Sequence, residues 1–168
     1  MERVVVLKCY NANKEKIRGF EVVDSKYRKY PGKNIILPIR SDIKSAGYDL
    51  RTPIEIEIKP GERKLVFTDI KAYMQQDEVL KVYVRSSIGI KRNVILSNIT
   101  GIIDSSYYSN KDNDGNIGIS LWNTGKDTVV FEENERICQC IFEKYLTVDN
   151  EPTNNNIRIG GFGSSGQY

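Results

Sequence analysis

The chain has no histidine. That excludes Ser-His-Asp and Cys-His catalysis and histidine metal ligation. A general base near neutral pH then has to be a carboxylate or a strongly perturbed group. Cysteine is almost as scarce, with Cys9, Cys138 and Cys140 the whole supply. An odd count frames no disulfide scaffold, and two close cysteines without histidine partners are too few for a zinc site. Cys138 and Cys140 stand two apart and share one face of a strand. Read as reduced core thiols, they point to a reducing, cytoplasmic setting. No apolar run approaches the roughly 18 residues of a membrane span. Val4-Val5-Val6-Leu7 is too short for a signal-peptide core and reads as a first strand. Long amphipathic helices are missing as well. The net charge is only +3 over 168 residues. It suits a phosphate-bearing ligand and falls far short of the basic field of a nucleic-acid binder.

What the chain does have is period two. Ile54-Glu55-Ile56-Glu57-Ile58-Lys59 alternates apolar and charged residues, the pattern of a half-buried strand, and Lys59-Pro60-Gly61-Glu62 turns it. Further strands are predicted over 64–68, 79–84, 94–99, 117–122, 128–131 and 136–142, with one short helix over 86–91. Many short strands punctuated by Gly, Asn and Pro indicate an all-β barrel or sandwich. The Lys- and Arg-rich stretch 11–34 shows little periodicity and reads as a loop-rich insertion or an extra hairpin. Asp112-Asn113-Asp114-Gly115 is strong turn sequence and reads as an extended hairpin tip. We divide the chain into one domain over 1–153 and a Gly-rich, flexible tail over 154–168.

Five segments carry chemistry. Gly101-Ile102-Ile103-Asp104-Ser105-Ser106-Tyr107 sets a carboxylate and an aromatic ring three residues apart at the end of an apolar strand. A carboxylate there can orient and deprotonate a water, or merely cap a turn. Ser45-Ala46-Gly47-Tyr48-Asp49-Leu50 offers an acid, and Arg85-Ser86-Ser87-Ile88-Gly89 offers a cation with two hydroxyls. Glu135-Arg136-Ile137-Cys138-Gln139 places an amide on a strand. Gly160-Gly161-Phe162-Gly163-Ser164-Ser165-Gly166 lets a backbone approach phosphate oxygens closely.

In order, spacing and identity these segments resemble the five motifs of the trimeric deoxyuridine triphosphatases, the dUTPases. The resemblance runs from about Arg40 to the C-terminus. It implies a distorted jelly-roll β-barrel of the β-clip type, assembled as a homotrimer with exchanged C-terminal tails. It implies hydrolysis of dUTP to dUMP and pyrophosphate, with Mg²⁺ held through the substrate phosphates and water and no direct protein ligand. Asp104 would be the base aiming water at the α-phosphate, and Tyr107 would pack on the deoxyribose and exclude a 2′-hydroxyl. Uracil would be read by Asn98 and by main-chain groups of the motif-three hairpin, Gly101 and Ile117 among them. Arg85 would pair with an acid, Asp49 being the candidate, while Ser86 and Ser87 face the phosphates and Ser86 meets the α–β bridging oxygen. Gln139 would contact phosphate. Phe162 would stack on the base, with Gly163, Ser164 and Ser165 on the γ-phosphate. Many members carry Arg three places before Gly-Gly-Phe, where this chain has Ile157. Arg158, one residue closer, takes the γ-phosphate role instead. The rival within this fold, dCTP deamination, calls for a Glu where Ser120 stands. A third reading is a dUTP-sensing binding module. No nucleic-acid or membrane partner is expected.

Overall fold

The computed structural model describes residues 16–151. The 4–7 strand, Cys9 and the tail residues Arg158, Phe162, Gly163, Ser164 and Ser165 lie outside them. The described chain is built almost wholly of short antiparallel strands. In chain order these are β1 (Gly19–Val22), β2 (Ile39–Arg40), β3 (Tyr48–Arg51), β4 (Ile56–Ile58), β5 (Arg63–Phe67), β6 (Ile70–Tyr73) and β7 (Glu78–Val84). The helix α1 (Ser86–Arg92) follows, then β8 (Val94–Leu96), β9 (Gly101–Asp104), β10 (Gly118–Asn123), β11 (Val129–Phe131) and β12 (Arg136–Lys144).

The largest sheet has the order β2-β3-β12-β7-β9, and β5-β10-β8 forms a second. The pairs β1-β6 and β4-β11 complete the wall. Neighbours in these sheets are mostly distant in sequence, as in a barrel closed by crossing connections. Alternation decides which side chains point inward: β10 reads half-buried then buried three times over, and β4 reads buried, exposed, buried. Leu50, Ile58, Val82, Leu121, Phe131 and Ile137 meet in one contiguous core. Cys138 and Cys140 are fully buried in it as reduced thiols.

Several boundaries move for local reasons. The alternating run 54–59 pairs only over β4, because Thr52 Oγ1 donates to Ile54 O and turns the chain there. The strand expected over 94–99 stops at Leu96, where the Ile99 N–H closes a turn onto Leu96 O with Ile99 at φ 65°. The helix begins as expected and ends at Asn93. Asn93 adopts the left-handed conformation and donates its N–H to Ile88 O, after Lys91 and Arg92 in the last turn.

The insertion is not an independent hairpin. Its strand β1 pairs with β6, far along the chain. Behind it, Asp69 is fully buried at φ 56°. Its carboxylate accepts the N–H groups of Lys29 and Tyr30, the Asn116 Nδ2 donor and the Arg28 guanidinium. The Asp112–Gly115 turn is likewise no protruding tip: Asn110, Asp114 and Asn116 are buried, and Asp114 accepts the Asp24 N–H and the Lys71 ammonium. Turn-forming side chains here satisfy one another and the insertion, which draws the loop inward. Among the described residues no helix is long and apolar enough to cross a membrane.

Candidate active site

Motifs one, two and four meet across β3, β12 and β7. Asp49 on β3 is the Cα partner of Gln139 on β12, and Cys138 is the partner of Val84, one residue before Arg85. Arg85 Nε lies 3.0 Å from Asp49 Oδ1, so the pairing expected from sequence is present. Arg136 lies 3.1 Å from the other carboxylate oxygen, which also accepts the Ser41 hydroxyl at 3.0 Å. A nearly buried carboxylate is thereby held by two guanidiniums, an arrangement that fixes the Arg85 side chain. Neither Arg136 nor Ser41 is singled out by sequence. The position of Arg136 inside the fourth motif was the available signal for it.

Gln139 packs against Gly47 of motif one. A Cβ at position 47 would lie 2.7 Å from Gln139 Oε1, so the missing side chain makes room for the amide. Ser86 and Ser87 open α1 and are exposed, next to the Arg85–Asp49 pair.

Motif three lies on the far side of β7. Asp104 ends β9 opposite Val79, and Gly101 begins it opposite Val82. Between β7, β8, β9 and β10 lies a cavity of about 160 Å³ lined by Val82, Leu96, Asn98, Gly101, Gly118 and Ser120, among others. Its walls are largely apolar, interrupted by Asn98, two glycine backbones and one hydroxyl. Such a site orients a flat polar ring through a few groups. A Cβ on Gly101 would press on Val82 at 3.0 Å, so glycine keeps that wall open. Ser120 Oγ stands 2.8 Å from Ser97 Oγ.

Ile117 does not line the cavity. It is fully buried, its N–H donates to Ile70 O, and its carbonyl accepts from both the N–H and Oγ1 of Thr68. Its main-chain groups are occupied from across the barrel, and its neighbour Gly118 lines the cavity. Tyr107 is 4 % exposed and its hydroxyl donates to Asn116 O at 3.0 Å. It therefore offers outward a small fixed patch, not an open ring face.

One chain does not bring Asp104 to the Arg85–Asp49 cluster. Asp104 pairs with Val79, and Arg85 lies six residues further along the same strand direction. At about 3.3 Å per residue this is roughly 20 Å. Two groups working on the same phosphorus have to stand within a few ångströms of it.

A family model described as dUTPase matches residues 33–166. The chain is 44% identical over 152 residues to the deoxyuridine 5′-triphosphate nucleotidohydrolase of Lactococcus lactis, covering 90% of this chain and 99% of that protein. It is 33% identical over 144 residues to the protein of the same name from Serratia proteamaculans, covering 82% and 91% of the two chains. The crystal structure of a dUTPase from Streptococcus mutans superposes with a TM-score of 0.69 at 39% identity, over 79% of this chain and 99% of that one. Motifs in the expected order, the strand wall and these matches together place the chain in the dUTPase family.

Proposed function

We propose that the chain hydrolyses dUTP to dUMP and pyrophosphate, and so limits dUTP available to DNA while supplying dUMP for dTMP synthesis. The observation that carries this reading is the cavity beside β9, sized for a base and edged by Asn98, Gly101 and Gly118, immediately before the Asp104 carboxylate. Buried main-chain donors and acceptors reject a base with the opposite pattern because the mismatched group stays unpaired.

In the reaction Asp104 takes a proton from water as its oxygen bonds to the α-phosphorus. The bond from that phosphorus to the α–β bridging oxygen breaks in line, and pyrophosphate leaves. Ser86 donates to the bridging oxygen, where charge develops, so it favours the transition state over the ground state. Arg85, held by Asp49, orders this half of the site, with Ser87 and Gln139 toward the phosphates. Phe162 covers the base, and Arg158, Gly163, Ser164 and Ser165 close on the γ-phosphate. Among the described residues no group of three or more Cys, Asp or Glu side chains could hold a metal ion. A Mg²⁺ carried by the triphosphate with its own waters fits that donor set. When bound, it offsets phosphate charge. The roughly 20 Å between Asp104 and Arg85 along β7 supports a site shared between copies, one contributing motif three and another the phosphate side, as the homotrimer implied by the resemblance would allow.

Ser120 at the cavity wall favours this reading over dCTP deamination, which needs an acid there to shuttle protons at the base. Pyrophosphate release from dUTP, dCTP, dTTP and UTP with Mg²⁺ tests the proposal. Turnover of dUTP alone is expected. Uracil nucleotides formed from dCTP would establish the deaminase, and dUTP binding without pyrophosphate release would establish a sensing module.

A further inference from the structure

A polar network among the described residues converges on Tyr107. Asn113 Nδ2 donates to the Tyr107 hydroxyl at 2.7 Å, and that hydroxyl donates to Asn116 O at 3.0 Å. Asn110 Nδ2 donates to the Tyr107 carbonyl at 2.9 Å. The ring is therefore held at its tip and at its own backbone by one nine-residue loop, 108–116.

The loop is itself braced. Asn113 Oδ1 accepts Asn110 Nδ2 at 2.8 Å and the Gly115 N–H at 3.0 Å. Gly115 sits at φ 83°, and a Cβ there would lie 2.7 Å from Tyr107 O. Beyond the loop, Asn116 exchanges two hydrogen bonds of 2.9 Å with Asp69, one from its Nδ2 and one from the Asp69 N–H. Asp69 in turn accepts the N–H groups of Lys29 and Tyr30 in the insertion. A packed ring needs none of this to stay buried. A ring whose plane must hold to a few tenths of an ångström does, because rejecting one hydroxyl by steric exclusion fails if the wall yields.

We infer that the 108–116 loop, tied to the N-terminal insertion through Asp69, is a clamp that fixes Tyr107 as the wall excluding a ribose 2′-hydroxyl, with Asn113 as its positioning residue. The inference rests on the dUTP reading above. It assigns a task to the 108–116 loop and the N-terminal segment packed on it, and it makes sugar selection depend on residues outside the proposed substrate contacts.

The test compares kcat/KM for dUTP and for UTP in the trimer bearing Asn113→Ala, Tyr107→Phe, the double variant and Tyr107→Ala, with melting temperatures alongside. Asn113→Ala is expected to lower the dUTP-to-UTP ratio about tenfold, the worth of one hydrogen bond to the ring. Tyr107→Phe keeps the ring and loses both bonds at its tip, so the ratio should fall at least as far. The double variant should fall by less than the two losses together, because Asn113 acts in part through the hydroxyl. Loss of stability alone would not move the ratio. If Asn113→Ala and Tyr107→Phe keep the parent's ratio while Tyr107→Ala lowers it, the clamp is overturned and the tyrosine wall stands. A double variant in which the two losses add also overturns it. If Tyr107→Ala leaves the ratio unchanged, the wall fails too. Should Asn113→Ala not fold, Tyr107→Phe decides alone.

Discussion

Arg85 Nε and Asp49 Oδ1 lie 3.0 Å apart, joining the residue that follows β7 to β3 across the intervening strand β12. The contact ties two sequence motifs together without any substrate. Its carboxylate is almost buried, whereas Arg85 and Arg136 keep 28% and 41% of their side-chain surface exposed. Asp49→Ala leaves two guanidiniums facing each other. A wholly buried broken pair costs about 3–5 kcal/mol, and the solvent access here reduces that to about 2 kcal/mol. Thermal melting should fall by about 4–8 °C, with activity lost beyond what instability explains. A variant melting within one degree of the parent (about 1 °C) would show that the pair contributes little.

Gly115→Ala should be among the most damaging single-methyl additions in the chain. Position 115 lies at φ 83°, and the new Cβ would meet the backbone, Tyr107 O at 2.7 Å and Tyr108 Cα at 3.1 Å. The left-handed conformation alone costs an alanine about 1–2 kcal/mol, and neither obstacle is a flexible side-chain end. We expect a melting point lower by at least about 4 °C. Unchanged melting would mean that the loop shifts at no cost.

Acid should loosen the same loop. Burial opposes ionisation of Asp114, but the Asp24 N–H and the Lys71 ammonium outweigh it and hold the carboxyl below its usual value. A depressed carboxyl contributes stability that is present above its unfolded pKa and lost as pH falls through the folded one. The window therefore lies below about pH 4. Melting temperatures of Asp114→Asn should start lower at pH 7 and decline less steeply between about pH 4 and 3 than those of the parent. Parallel curves would contradict this.

Cys138 and Cys140 should resist thiol reagents. Both are fully buried, and burial pushes both thiols well above their ordinary pKa. With Cys9 replaced by serine, a disulfide reagent at neutral pH should label nothing until the protein is denatured, and then two thiols. Rapid labelling of the native protein would place these residues outside the core.

Period-two alternation made β4 and β10 readable, since inward and outward positions are set within each strand. The Arg85–Asp49 pair was readable through the resemblance to the dUTPase motifs, which pairs the arginine of the second with an acid. β1 and β6 were not. Both are only four residues long, and their pairing joins segments distant in sequence. Ile117 shows the same limit. Its apolar side chain marked a strand, but only the register of Thr68 and Ile70 across the barrel shows that its backbone is spent. The Asp112–Gly115 turn was correct in its chemistry and misplaced in its exposure, because Asp24 and Lys71, which draw Asp114 inward, are remote in sequence. The distance between Asp104 and Arg85 is a property of sheet order and had no sequence signal of its own.

The central claim is that Asp104 acts as the base in dUTP hydrolysis. Its most direct test is single-turnover pyrophosphate release from dUTP by Asp104→Asn beside the parent, with the affinity for a non-hydrolysable dUTP analogue measured in both. The amide keeps the size of the carboxylate and cannot take the proton. Analogue affinity is expected within about tenfold of the parent, about one hydrogen bond's worth, with a rate lower by about 10²–10⁴. Turnover near the parent's rate would remove Asp104 from that role.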